Sequence, residues 1–186
     1  MPDRRPRRTD PGRRDRIVDA CLDVVVAHGV AGTSHRRVAE AADVPLGSMT
    51  YHFAGMDELL REAFGRFART VSDEFERRLG AAADADDARA AVVGLVSDVA
   101  GTRRDLVLTH ELYTLAAREP AFRDLTTAWM ARSRRALERH FDPTTARMLD
   151  ALIEGLAVHR TLDRPEGQGP YDAALLADAV ARITRA

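Results

Sequence analysis

The chain has 186 residues, 45% of them apolar, and a formal net charge of −1. That is enough apolar material for a sizeable core, in one medium domain or a small domain joined to a larger one. A near-zero charge excludes a protein that coats nucleic acid with its whole surface, and a single cysteine, Cys21, excludes an intrachain disulfide.

The charge is unevenly spread. Residues 1–16 carry seven Arg against three Asp, while the acidic excess lies elsewhere, as in ADADDA at 83–88. The segment RRPRRTDPGRRDR reads as a strongly basic arm, and residues 1–10, rich in Pro and Arg, are expected to be disordered on their own. Lys and Asn are absent. With abundant Ala this points to a GC-rich genome, not to selection for bidentate contacts. No apolar run approaches the length of a membrane span, and the basic N-terminus lacks the hydrophobic stretch of a signal peptide. A cytoplasmic location is expected.

The first helix is expected from about Arg13 to His28, ended by Gly29. Its stripe Ile17, Cys21, Val24, Val25 makes Cys21 a small core residue more readily than a redox sensor. The next segment, TSHRRVAEAADVPLGSMTYHF (Thr33 to Phe53), reads as two short helices joined by a tight turn. Ser34 can cap the first, and Val38, Ala39 and Ala42 face inward at helical spacing. Pro45 disfavours helical geometry at Val44, so that helix should stop there. The second starts near Leu46, with Met49 and Phe53 as its buried edge. Gly47, Ser48, Thr50, Tyr51 and His52 are left outward or sideways. Such a polar helix, braced by another, fits the major groove of DNA with its N-terminal end nearest the bases. An ordinary helical hairpin with a polar outer face has the same shape. Arg36 and Arg37 on the first helix, and the basic arm, favour DNA.

A longer helix follows from Met56 to Gly80, with the stripe Leu60, Phe64, Phe67, Val71, Phe75. Asp57 and Glu58 in its first turn and Arg77 and Arg78 in its last match the helix dipole. Further helices are expected over 87–100 (Val92, Val93, Val96, Val99), 104–119, 120–140, from Pro143 after the cap Asp142, and from Tyr171 to Ile183. The segment RPEGQGP, 164–170, reads as a loop. The fold class is therefore all-α, with about nine helices. The expected organisation is a basic arm (1–10), a helix-turn-helix domain (11–55), a connecting helix (56–80) and a C-terminal helical bundle (81–186).

The bundle can house a small-molecule site, because apolar walls with a few polar groups make the usual pocket. Candidate lining residues are His110, Tyr113, Trp129, Met130 and Leu152. The same residues would also serve as plain core. An enzyme is not expected. His110-Glu111 begins like a zinc-protease motif, but Thr114 stands where the second His is needed. No Gly-rich phosphate loop, GxSxG elbow or Cys cluster is present, so neither a metal nor a cofactor is expected. The stronger rival is a protein-interaction module that uses the apolar helices for a partner.

From IVDACLDVVVAHGVAGTS through RRVAEAADVPLGSMTYHF to MDELLREAF, the first 80 or so residues resemble the DNA-binding domain of the tetracycline-repressor (TetR) family of bacterial regulators. The resemblance implies DNA contacts from Arg36, Arg37, Leu46, Gly47, Ser48, Thr50, Tyr51 and His52, with Phe53 closing the domain core. Thr50 stands where many members have tyrosine, with Tyr51 one place later. Pro45 and Leu46 replace the usual serine and polar residue, and Met56 replaces a phosphate-binding lysine. The last two helices correspond to a pair that forms a four-helix interface with a second copy. That places Met148, Leu152, Leu156, His159, Leu176 and Val180 at a homodimer interface; from the residues alone they equally close their own core. The implied function is a ligand-responsive transcriptional regulator, most often a repressor. It would bind a palindromic double-stranded DNA operator as a dimer and be released by a small molecule. The alternative is a helical regulator or interaction module that senses no small molecule.

Overall fold

The computed structural model of the chain describes residues 10–99, 102–162 and 173–185. Among these it contains nine α-helices and no strand. The chain divides into two compact units, Met1–Ala63 and Phe64–Ala186. The expected disordered arm and the expected loop at 164–170 lie outside the described residues, apart from Asp10.

The first unit begins with α1 (Arg13–His28), which buries Ile17, Val18, Cys21, Leu22, Val24 and Val25. Gly29 ends it at φ 68°, a left-handed conformation that glycine adopts without a Cβ clash, and its N–H donates to the Val25 carbonyl at 2.8 Å. Helix α2 (His35–Ala41) opens on Ser34, whose Oγ accepts a hydrogen bond from the Arg37 N–H at 3.4 Å. It stops sooner than the position set by Pro45. Asp43 takes φ 51°, and Asp is one of the few non-glycine residues that visit this region. The turn is therefore made by Asp43, with Pro45 already beyond it.

Helix α3 (Gly47–His52) is only six residues long. A helix this short does not hold itself in water. It is held by Met49 and Phe53, which are almost fully buried, each contributing about 1.5–3 kcal/mol by burial. The Arg14 guanidinium lies 5.0 Å from the Phe53 ring centroid and pairs with Glu62. Those two contacts link α1, the end of α3 and the start of α4 (Met56–Gly80). At that start the Ala54 N–H donates to Glu58 Oε2 at 2.6 Å, so the Glu58 side chain reaches back to the turn before the helix.

In the second unit, α4 buries Phe64, Phe67, Phe75 and Leu79, with Val71 half-buried. Five helices follow: α5 (Ala85–Val99), α6 (Arg103–Ala116), α7 (Pro120–Leu137), α8 (Pro143–Leu162) and α9 (Ala173–Thr184). Three caps are visible in the side chains. Asp84 Oδ1 accepts from the N–H groups of Asp86 and Asp87, both at 2.9 Å. Thr102 Oγ1 accepts from Asp105 N–H at 3.1 Å. Asp142 Oδ1 accepts from Thr144 and Thr145 N–H at 2.9 and 3.2 Å. Helix α6 ends earlier than expected because the Leu115 carbonyl draws in the N–H groups of Arg118 and Glu119, and Glu119 is extended ahead of Pro120. Helix α7 also stops short of His140, whose Nε2 lies 2.9 Å from the Leu79 carbonyl.

Helix α6 packs on α7 and α8, α5 on α9, and α8 on α7 and α9. Phe75, Leu79, Val92, Leu95, Leu137, Leu149 and Val180 form one core cluster; Val96, Leu156 and Leu176 form a second.

Candidate functional site

Successive residues of a helix are rotated by about 100°. On α3 this places Leu46, Thr50, Gly47 and Tyr51, in that angular order, within an arc of about 140°. All four are exposed, Leu46 to 54% and Tyr51 to 84%. The opposite arc carries Ser48, His52, Met49 and Phe53. Ser48 is only 8% exposed, which corrects the expectation that it faces outward or sideways: it shares the buried side with Met49. His52 is half-buried, its ring edge-on to Tyr51 with centroids 4.9 Å apart.

Beside α3, Arg36 and Arg37 are both exposed but differ in what they hold. Arg37 Nη1 donates to the Gly32 carbonyl, which ties its head group to the turn before α2. Arg36 has no hydrogen bond or ion pair among the described residues, so its guanidinium is available to a ligand. Two arginines assigned to the basic arm are in fact engaged. Arg16 pairs with Asp10 at 2.7 Å, holding the Asp10 carboxyl below the usual range, and Arg14 is spent on Glu62 and Phe53. The cause is the helix start at Arg13, which puts both side chains on a folded surface.

A shallow depression of about 310 Å³ is lined by Ala54, Gly55, Met56, Asp57, Glu58 and Arg61. It surrounds the helix start where the resemblance places a phosphate-binding lysine. Met56 supplies no charge there, and the Ala54 N–H is already taken by Glu58. Arg61, exposed on the next turn, is the one cation lining this depression.

In the second unit the candidate ligand residues separate into two groups. Tyr113 and Trp129 come together, ring centroids 6.0 Å apart, and Phe67 packs edge-on against Trp129 at 5.9 Å. The Tyr113 hydroxyl donates to Glu154 Oε2 at 2.5 Å. Burial raises the Glu154 carboxyl above the usual range, the hydrogen bond from Tyr113 opposes this, and the Asp150 charge adds to it. Tyr113 is likewise raised, by burial and then by Glu154. Asp150 is raised by burial against the pull of Arg134, which it meets at 3.2 Å. Arg134 thus serves Asp150, and Glu154 has no cationic partner among the described residues. His110 and Met130 are half-buried, with no hydrogen bond or ring contact to this cluster among the described residues. Leu152 packs against the two core clusters instead.

Glu154 was missed from the sequence. The available signal was a pair of acids, Asp150 and Glu154, four apart on a helix otherwise apolar on several faces. Like charges at that spacing repel, and acids are rarely buried without a reason.

The six residues expected at a dimer interface also divide. Leu156, Leu176 and Val180 are buried within the protomer's own core, and Leu152 leans on it. An apolar stripe at helical spacing had two possible neighbours, and Leu156 of α8 and Leu176 and Val180 of α9 pack with residues of α5 in the protomer's own clusters. Met148 is 51% exposed and His159 is exposed; Leu175, not singled out from the sequence, is 45% exposed. No group of three His, Cys, Asp or Glu able to hold a metal occurs among the described residues, and none of their helices is long and apolar enough to cross a membrane. Cys21 is buried, its thiol pushed up to about 12 by burial.

These features can be set beside known proteins. Residues 17–63 match the family described as bacterial regulatory proteins, tetR family. Residues 83–186 match the tetracyclin repressor-like C-terminal domain. SCO7518 of Streptomyces coelicolor A3(2), assigned to transcriptional regulation, is 58% identical, with 95% of this chain and 100% of that chain covered and a TM-score of 0.85. The multidrug binding protein EbrR, complexed with imidazole, is 35% identical over 94% of this chain and 96% of its own, at a TM-score of 0.76. EbrR is also known in complex with ethidium, malachite green and proflavin. The regulator PksA of Bacillus subtilis (strain 168) is 33% identical over 64 residues, 34% of this chain and 31% of PksA, so the match spans about a third of that curated relative. With both of its units matched and full-length structural relatives alongside, the chain belongs to the TetR family of bacterial transcriptional regulators.

Proposed function

We propose that this protein is a cytoplasmic repressor that binds a palindromic DNA operator as a homodimer and leaves it when a small molecule enters the C-terminal bundle. The observation that carries the DNA half is the outward arc of α3, with Arg36 unpartnered among the described residues beside it. We assign residues 1–10 to a basic arm, 11–55 to the DNA reader, 56–80 to a connecting helix and 81–186 to effector binding and dimerisation. Two copies of α3 held about 34 Å apart reach successive major grooves on one face of the duplex. The positioning charges are Arg36, the Arg residues of the arm and Arg61, which replaces the lysine absent at Met56.

The effector class follows from this half-buried cluster. Tyr113 and Trp129 supply aromatic walls, and Glu154 supplies a carboxyl without a compensating cation among the described residues. Ethidium, malachite green and proflavin, three of the molecules EbrR is complexed with, are aromatic cations, the chemistry that such walls and such an acid accommodate. We assign an aromatic cation as the effector. Binding shifts α4, which continues from one unit into the next, and DNA is released to the extent that the two shapes differ in effector affinity.

The test is a fluorescence-anisotropy titration of the full chain against fragments recovered from genomic DNA, at several salt concentrations, followed by addition of ethidium. A specific fragment should bind with an affinity that falls steeply with salt, because phosphate contacts release counterions, and ethidium should dissociate it from wild type at doses that leave the Glu154→Gln complex intact, which separates effector release from intercalation into the duplex. Failure to bind any fragment above the level of scrambled duplex removes the regulator reading. DNA binding that ignores bound ethidium removes only the effector assignment.

A further inference from the structure

Resting on the reading of α3 as the helix that enters the groove, we infer that it recognises operator bases through the methyl groups of thymines and not through hydrogen bonds to base edges. Bidentate reading of guanine or adenine takes Arg, Lys, Asn or Gln. None of these lies on the outward arc, which consists of Leu46, Thr50, Gly47 and Tyr51. Apart from the Tyr51 hydroxyl at its edge, what that arc offers is apolar.

Leu46 is the clearest case. It occupies the N-cap of α3, where Ser, Thr, Asp or Asn would stabilise the helix by capping, and it makes no side-chain cap. Its side chain is more than half exposed. The position thus gives up a stabilising cap and leaves an aliphatic group in water, which the fold does not need. Thr50 has its Oγ1 turned onto the Gly47 carbonyl at 3.3 Å, so the group left to present is its γ-methyl. Gly47 lies between Thr50 and Tyr51 on the arc. A Cβ there would meet nothing within 4 Å, so neither crowding nor a left-handed backbone requires glycine. The bare backbone instead leaves a notch flanked by Thr50 and Tyr51, with Leu46 beyond Thr50, a fit for the 5-methyl group of a thymine. Charge is supplied from the preceding helix α2, where Arg36 contacts the sequence-neutral phosphates that set register.

The experiment uses the full-length protein and the operator recovered as above. Each thymine in a half-site is replaced in turn by deoxyuridine, which removes the methyl group and nothing else. One or two positions per half-site should weaken wild-type binding by about three- to fivefold each, the worth of one buried methyl. Leu46→Ala should bind the thymine and uracil operators equally at one such position while keeping its helical content and thermal midpoint. Arg36→Ala should weaken both operators alike. Wild-type protein that binds the operator far more tightly than scrambled duplex, yet tolerates uracil at every position within twofold, overturns the inference and leaves the regulator reading standing. Binding no tighter to the operator than to scrambled duplex overturns both.

Discussion

Gly47→Ala should move two properties in opposite directions. The added Cβ meets nothing within 4 Å in the protomer, and Gly47 does not need a positive φ. Replacing glycine by alanine in a helix is worth about 0.5–1 kcal/mol, with the lower end appropriate for the first residue of α3. For a chain of this size that raises the thermal midpoint by about 1–2 °C. On DNA the same methyl fills the notch that lets the α3 backbone approach the bases. Inserting a methyl into a close-packed contact costs about 1–3 kcal/mol, or about 5- to 150-fold in affinity. Circular dichroism melts give the first quantity and anisotropy titration on the operator gives the second, with non-specific duplex as control. A variant that is as stable as wild type or more so and binds its operator with unchanged affinity would refute the reasoning, because α3 would then not approach the bases at Gly47.

Three further outcomes are expected. Glu154→Gln should weaken ethidium binding by about 10- to 100-fold, the range for a hydrogen bond to a charged group, while leaving operator affinity without dye unchanged; equal dye affinity removes Glu154 from the effector site. The pH dependence follows from its raised carboxyl. The stability Glu154 contributes is full below the ordinary glutamate range and lost as pH rises through its raised folded value, whereas dye affinity should rise over that window; in Glu154→Gln both trends should flatten. Met148→Asp should shift the protein from dimer toward monomer in analytical ultracentrifugation if exposed Met148 lies in the interface, and a dimer of unchanged strength would place the interface elsewhere. Arg61→Ala should weaken operator and scrambled duplex by a similar factor and reduce the salt slope by about one ion, as loss of one phosphate contact requires; an unchanged slope returns Arg61 to the solvated surface.

Much of the helical order was legible in the residues because local rules decide it. Gly29, Ser34, Pro120 and Asp142 act within a few residues of themselves, and the structure places a helix boundary at each. The errors are equally local. Asp43 turned the chain before Pro45 could, and Ser48 went to the buried side because one residue along a short helix changes direction by about 100°. The resemblance singled out the residues of α3 as a set. Their division into an outward arc and a buried one was not legible.

Periodicity alone determined that α4 to α9 have apolar faces to bury, because a 3.6-residue repeat is a property of the chain itself. It could not determine what covers each face. Leu156, Leu176 and Val180 had the same pattern as Met148, and only the packing of α5, α8 and α9 separated buried from exposed. The Tyr113–Glu154 pair was likewise beyond the reach of pattern. Its partners are 41 residues apart on different helices, and a half-buried acid is recognised only when the fold shows what it touches.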